Sequence, residues 1–158
     1  MARARLGVAF TALLALHVAG AAIALAMDQK YVFSSGARAA AVLRARGLAD
    51  APMVAEPDYA ATTVLGYLDK REAYNPRTRR AGSFVVWNEA RAADPADDDV
   101  VDYAGDVACR ERRDAVVLLN HPLEQELIER ARLRGVAELY DSMIPSENFY
   151  VYLATCAP

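Results

Sequence analysis

From Leu6 to Met27 the chain carries no Asp, Glu, Lys or Arg, and Arg3 and Arg5 stand just before this stretch. No other feature restricts the chain as much. A bilayer core about 30 Å thick is crossed by roughly 20 apolar residues in a helix, and this stretch has that length. Basic residues favour the cytoplasmic side of a membrane, so the two arginines predict that everything after Met27 lies on the far side. The favoured reading is an uncleaved, single-pass anchor in a bacterial cytoplasmic membrane. The alternative is a signal peptide cut after Ala24-Leu25-Ala26 or Ala19-Gly20-Ala21, both of which fit the small-x-small cleavage pattern. The domain would then be periplasmic or secreted. The apolar run is long for a signal peptide, and the basic flank argues against a buried core helix. His17, alone among Ala and Leu, is given no role.

Residues 28–158 are enough for one domain with its own core. They hold 16 basic against 21 acidic residues, a net charge of −5. A mildly acidic surface lacks the basic footprint that nucleic acid requires. Two cysteines, Cys109 and Cys156, permit a disulfide in an exported protein. Their spacing does not fix their distance, and two separate thiols are the favoured alternative. With only His17 and His121, and no CxxC or HExxH, no metal site is expected.

The exported part alternates helix and strand. Ser34-Ser35 opens a helix that Gly47 ends. Pro52–Ala55 reads as a short buried strand. Asp58 is placed as the N-cap of a helix from Tyr59 to about Leu68. Tyr74–Arg80 reads as a basic loop, with a short strand before it as an option, and Ser83–Trp87 as a strand by its β-branched and aromatic content. A polar loop from Ala90 to Asp99 leads to a helix over 99–112. Its consecutive aspartates read as helix-dipole compensation rather than a cation site. Ala115–Leu119 is a continuous apolar strand of the kind covered on both faces. A helix over 123–134, ended by Gly135, and strands at 136–140 and 149–153 complete the chain. The fold class expected is α/β: a single three-layer, Rossmann-like domain with a mostly parallel sheet of about five strands, preceded by one hydrophobic helix. The last strand is expected at an antiparallel edge. No Gly-rich phosphate loop is present, so no nucleotide cofactor is expected.

Open α/β sheets bind ligands beyond the carboxyl ends of their strands. Those ends place Glu56, Asp58, Trp87, Asn120, His121 and Asp141 together as candidates. His121 suits a general base, with Asp58 or Asp141 to orient it. The same residues also suit capping and turn closure, and that reading is favoured. Arg77, Arg79 and Arg80 beside Tyr74 form a second candidate, suited to a phosphate group. Its favoured alternative is a solvated loop, or intrachain pairing with Glu72 and Asp69.

Several short motifs carry a resemblance. They are Ser35-Gly36, Pro57-Asp58-Tyr59, Gly66-Tyr67-Leu68, Tyr74-Asn75-Pro76, Gly82–Trp87 and Ile144–Tyr150. Together they cover most of residues 31–153. They resemble the extracytoplasmic C-terminal region of bacterial multi-pass glycosyltransferase-like membrane proteins. Those proteins are distantly similar to protein mannosyltransferases, which use polyprenyl-phosphate sugars. The resemblance implies a soluble accessory domain with its anchor. Its implied partners are the membrane through residues 6–27, and a multi-pass membrane protein or a lipid-linked sugar. The chain has one hydrophobic stretch and no acidic catalytic loop of that family, so no catalytic residue carries over. A non-catalytic, membrane-tethered domain is therefore expected. The alternative is a small exported α/β enzyme or ligand-binding protein using Asp58, His121 and Asp141.

Overall fold

The apolar stretch forms one uninterrupted helix, α1 (Ala2–Lys30), in a computed structural model that describes residues 2–83, 85 and 94–156. Gly7–Met27 has a mean hydropathy of 2.2 and none of it is buried against protein. At 1.5 Å per residue this segment is about 32 Å long, the thickness of a bilayer core. Its two polar side chains are satisfied within the helix. Thr11 Oγ1 donates to the Gly7 carbonyl at 3.0 Å, and His17 Nδ1 lies 2.8 Å from the Leu13 carbonyl. Internal satisfaction is the condition for a polar group to be tolerated in hydrocarbon. His17 therefore needs no functional explanation.

Residues 34–158 form a second unit. It begins with α2 (Gly36–Ala45), whose buried face is Gly36, Ala39, Ala40 and Leu43. Gly47 takes φ +68° after its last turn. The Leu48 and Gly47 amides then reach back to the Leu43 and Arg44 carbonyls at 2.8 and 3.0 Å, as a glycine-terminated helix end requires. Next come β1 (Met53–Glu56), α3 (Asp58–Leu68), β2 (Ala73–Asn75) and β3 (Arg80–Gly82). They are followed by α4 (Asp97–Glu111), β4 (Ala115–Leu119), α5 (Gln125–Arg130), β5 (Arg134–Leu139) and β6 (Phe149–Ala154).

The architecture is α/β, with three layers around one sheet. Its order among the described residues is β3-β2-β1-β4-β6-β5. Strand alternation divides the core. Met53, Ala55, Val116, Leu118, Val151 and Leu153 face α2 and α3. Val54, Val117, Leu119, Tyr152 and Ala154 face α4 and α5. Because the side-chain period is two, strands covered on both faces need apolar residues at successive positions, and β4, β6 and β1 up to Ala55 have them.

The sheet is mixed rather than mostly parallel. β1 runs parallel to β2 and β4, but β3, β6 and β5 each join their neighbour antiparallel. No crossover helix separates β5 from β6, so the chain can only double back there. The last strand is antiparallel as expected, but it lies inside the sheet, between β4 and β5. Its Phe149-Tyr150-Val151-Tyr152-Leu153-Ala154 run is apolar on both faces and must be covered on both. β5 takes the edge instead. It exposes Arg134, Gly135 and Glu138 and is interrupted by a bulge near Gly135, which suits a strand with one open side. Gly135 is thus part of a strand. The preceding helix is shorter than its spacing suggested, because Arg132 already turns the chain with φ +54°. The basic segment near Tyr74 is a β2–β3 hairpin rather than a loop. Of the strand expected at 83–87, Ser83 and Val85 have no strand structure, and Phe84, Val86 and Trp87 lie outside the described residues.

Cys109 and Cys156 are joined, with S–S 2.04 Å and Cα–Cα 4.5 Å. The favoured reading of two separate thiols is thus corrected. Packing of α4 on the end of β6 brings together residues 47 apart in sequence.

Small residues let α2 and α3 approach closely, and Gly36 sits at the tightest point. A Cβ there would stand 2.9 Å from Thr63 Cβ and 3.1 Å from Ser34 Oγ. Gly36→Ala is expected to cost about 1–3 kcal/mol by overpacking. Urea unfolding of the variant checks this, and an unchanged midpoint would mean that the helices part freely.

Candidate functional site

The carboxyl ends of β1 and β4 open on a cleft of about 450 Å³ that includes Glu56, Tyr59, Arg77, Asp94, Asn120 and His121. Glu56 ends β1 and is buried, with 6% of its surface exposed. A carboxylate is tolerated there only with a partner. Arg77, from the turn between β2 and β3, supplies it. Arg77 Nε lies 3.0 Å from each Glu56 oxygen, and its Nη2 also contacts Oε1. Asp94 meets the same guanidinium through Nη1. The hydrogen bond to Glu56, outweighing burial, holds the Arg77 guanidinium more firmly protonated than usual.

The turn carrying Arg77 is itself braced. Asn75 Oδ1 accepts from the Arg77 amide at 2.8 Å, and Asn75 Nδ2 donates to Asp58 Oδ2 at 2.5 Å. Asp58 lies within the first turn of α3, where its negative charge suits the helix dipole. Pro57, rather than Asp58, occupies the capping position of α3. The Asp58 Oδ1 accepts from the Tyr59 amide at 2.9 Å.

On the other side of β4, His121 is held between two oxygens. Its Nε2 is 2.9 Å from Asp97 Oδ1 and its Nδ1 is 3.1 Å from Asn120 Oδ1. Asp97, Asp98 and Asp99 form the first turn of α4. Asp97 takes His121, and Asp98 takes Arg130 of α5, so two of these acids tie α4 to the chain that follows β4. Tyr152 completes this corner by accepting from the Leu123 amide at 3.0 Å.

Asp141 belongs elsewhere. Its Oδ1 accepts from Ser35 Oγ at 3.0 Å, and its Oδ2 pairs with Arg38 of α2. It stands on the α2 side, with β6 between β5 and β4, whereas His121 stands on the α4 side. Asp58 is occupied at the mouth of β1 and β2. The three acid–base candidates therefore form no common constellation. Trp87 and its neighbour Asn88 lie outside the described residues.

The three arginines also diverge. Arg77 is partly buried against Glu56. Arg79 lies 2.9 Å from Asp106 and stacks on the Tyr103 ring at 4.6 Å. Arg80 is exposed beside a second hollow of about 310 Å³, which Asp58, Thr62 and Tyr74 help to line. The intrachain partners are Glu56, Asp94 and Asp106, not Glu72 and Asp69. Among the described residues no His, Cys, Asp and Glu cluster has the makings of a metal site. Sequence reading missed the roles of Asn75 and Asp94, and the pairing of Asp97 with His121. Their acidic or amide character was visible, but their partners come from distant segments.

Burial raises the phenol pKa of Tyr103 and of Tyr152. The hydrogen bond to Glu111, then burial, does the same for Tyr74. A raised folded-state pKa gives stability that is complete below the unfolded value of about 10 and is lost as pH rises through the folded value. Lys70 opposes this. Burial lowers its pKa, so its contribution improves as pH rises through that same region. With three phenols against one amine, the unfolding midpoint is expected to fall above about pH 10. Denaturant titrations from pH 8 to 11 check it, and a rising midpoint would contradict it.

Comparison with protein-family models, with curated proteins and with solved structures finds no match to this chain. The reading of its function therefore stands on its own residues.

Proposed function

We propose that this chain is a non-catalytic, membrane-tethered domain lying on the extracytoplasmic side of a bacterial membrane. In this reading it is accessory to, or derived from, a glycosyltransferase-like membrane protein. The observation that carries the proposal is the 21-residue apolar segment Gly7–Met27, continuous in a single helix and buried against nothing. A free helix of this length and hydropathy in water would expose its whole apolar surface, and a bilayer removes that cost. The Cys109–Cys156 disulfide adds support, since such bonds persist in oxidising compartments. Arg3 and Arg5 give the sidedness. The glycosyltransferase-like association rests on the sequence resemblance. A lipid-linked sugar or a multi-pass partner is the class it implies.

Catalysis by the domain alone has less support. Both nitrogens of His121, the whole guanidinium of Arg77 and both oxygens of Asp58 already face partners within the domain. A general base needs a free lone pair within reach of substrate.

Fractionation of the expressed chain, with mass spectrometry of its N-terminus, tests the proposal. Intact protein in the membrane pellet, released only by detergent, is the expected result. A soluble product beginning near Ala21 or Met27 would replace the anchor with a cleaved signal and overturn the tethered reading.

A further inference from the structure

The segment between β5 and β6 is hydrogen-bonded along its backbone yet presents an apolar tip. Tyr140, Met143 and Ile144 are exposed by 69%, 52% and 43%, and Pro145 beside them is exposed too. The backbone under them is pinned. The Ser142 amide donates to Asn148 Oδ1 at 3.0 Å, the Ile144 amide to Ser142 Oγ at 3.1 Å, and the Glu147 amide to the Ile144 carbonyl at 2.9 Å. Both acids of the segment are partnered by the domain. Asp141 is held by Ser35 and Arg38. Glu147 Oε2 accepts from Ser34 Oγ at 2.7 Å and from Thr63 Oγ1 at 2.9 Å. A hydrogen-bonded loop whose acids are paired with the domain and whose Tyr, Met and Ile stand outward suits an apolar surface with a polar boundary.

Chain length says which surface that is. Ser34 and Ser35 are bonded to this loop, through Glu147 and Asp141 and through the Ser35 amide to the Glu147 carbonyl at 3.0 Å. Ser35 is five residues after Lys30, where α1 ends. Five residues reach no more than about 18 Å however the linker runs. A helix that spans a bilayer delivers its end to the headgroup region, and Tyr is a side chain favoured at that level.

We infer that the 140–145 loop is a second membrane contact, inserting Tyr140, Met143 and Ile144 into the interface of the bilayer that holds α1. This inference rests on the anchor reading. Two points of attachment, one a spanning helix and one an apolar loop, would fix the tilt of the domain. The ends of β1 and β4 would then face a constant direction relative to the lipid surface.

Depth measurement on the full chain tests it. The native cysteines are locked in a disulfide, so one introduced cysteine carries the label. Ile144→Cys, Leu16→Cys and Asp102→Cys, the last on the exposed face of α4, are each labelled with an environment-sensitive fluorophore. The protein is reconstituted in phosphatidylethanolamine–phosphatidylglycerol vesicles. The expected result is a blue shift, with quenching by brominated lipid, at positions 144 and 16 but not at 102. A label at 144 that emits as in water, while 16 is lipid-quenched, overturns the loop contact and leaves the anchor standing. A label at 16 that also emits as in water overturns the anchor reading, and the loop contact with it.

Discussion

Replacing both Cys109 and Cys156 by alanine is expected to lower the melting temperature by roughly 10–15 °C. The bond closes a loop between residues 47 apart. In the chain-entropy account, freeing a loop of that size returns about 4 kcal/mol of conformational freedom to the unfolded state. A domain of this size has an unfolding entropy of about 0.26 kcal/mol per degree, which converts the one figure into the other. The native state should change little, because Cys109 lies in the last turn of a helix already packed through Val100, Tyr103, Ala104 and Val107. Thermal unfolding of the oxidised protein, the reduced protein and the double variant measures the effect. The last two should agree. A reduced protein that melts with the oxidised one would show that the bond constrains nothing the packing does not already hold.

Arg77→Met should be about as damaging, by roughly 3–5 kcal/mol, because it leaves the Glu56 carboxylate buried at the end of β1 without its partner. The loss comes from the stranded charge rather than from the pair itself. Adding Glu56→Leu to Arg77→Met should therefore recover most of it. Arg130→Ala gives the contrast. Its pair with Asp98 is exposed on both sides, and such pairs contribute about 0–1 kcal/mol. Urea unfolding of the four proteins separates the cases. If the Arg77 and Arg130 variants lose equally little, Glu56 is more hydrated than its burial implies.

Much of the fold was legible where one local rule sufficed. The apolar face of α4, the glycine stop of α2 and the run Ala115–Leu119 each follow from spacing or composition within a few residues. The β2–β3 hairpin was not legible, because Ala73-Tyr74-Asn75 and Arg80-Ala81-Gly82 are too short and too polar to show a period of two. The place of β6 could have been read. Its two apolar faces argue for the sheet interior, and the exposed Gly135 and Glu138 of β5 argue for an edge. The absence of a helix between β5 and β6 fixes only that they pair antiparallel, not which of them takes the edge.

The candidate site was harder for the same physical reason. Residue types are local, but partners are not. His121 and Asp97 meet only because the first turn of α4 lies against the end of β4. Arg77 and Glu56 meet only because β2 runs beside β1. Asp141 was grouped with His121 by its place in a strand, but it lies toward α2 once β6 intervenes. The disulfide is a further instance, since nothing in a separation of 47 residues fixes a distance.

The central claim is that an uncleaved helix holds the domain on the outer side of a membrane. Protease treatment of intact spheroplasts, followed by detection of a C-terminal tag in the membrane fraction, tests it most directly. The account predicts that the full-length, membrane-bound species is degraded without lysis. A species that survives until the membrane is opened would place the domain in the cytoplasm and contradict it.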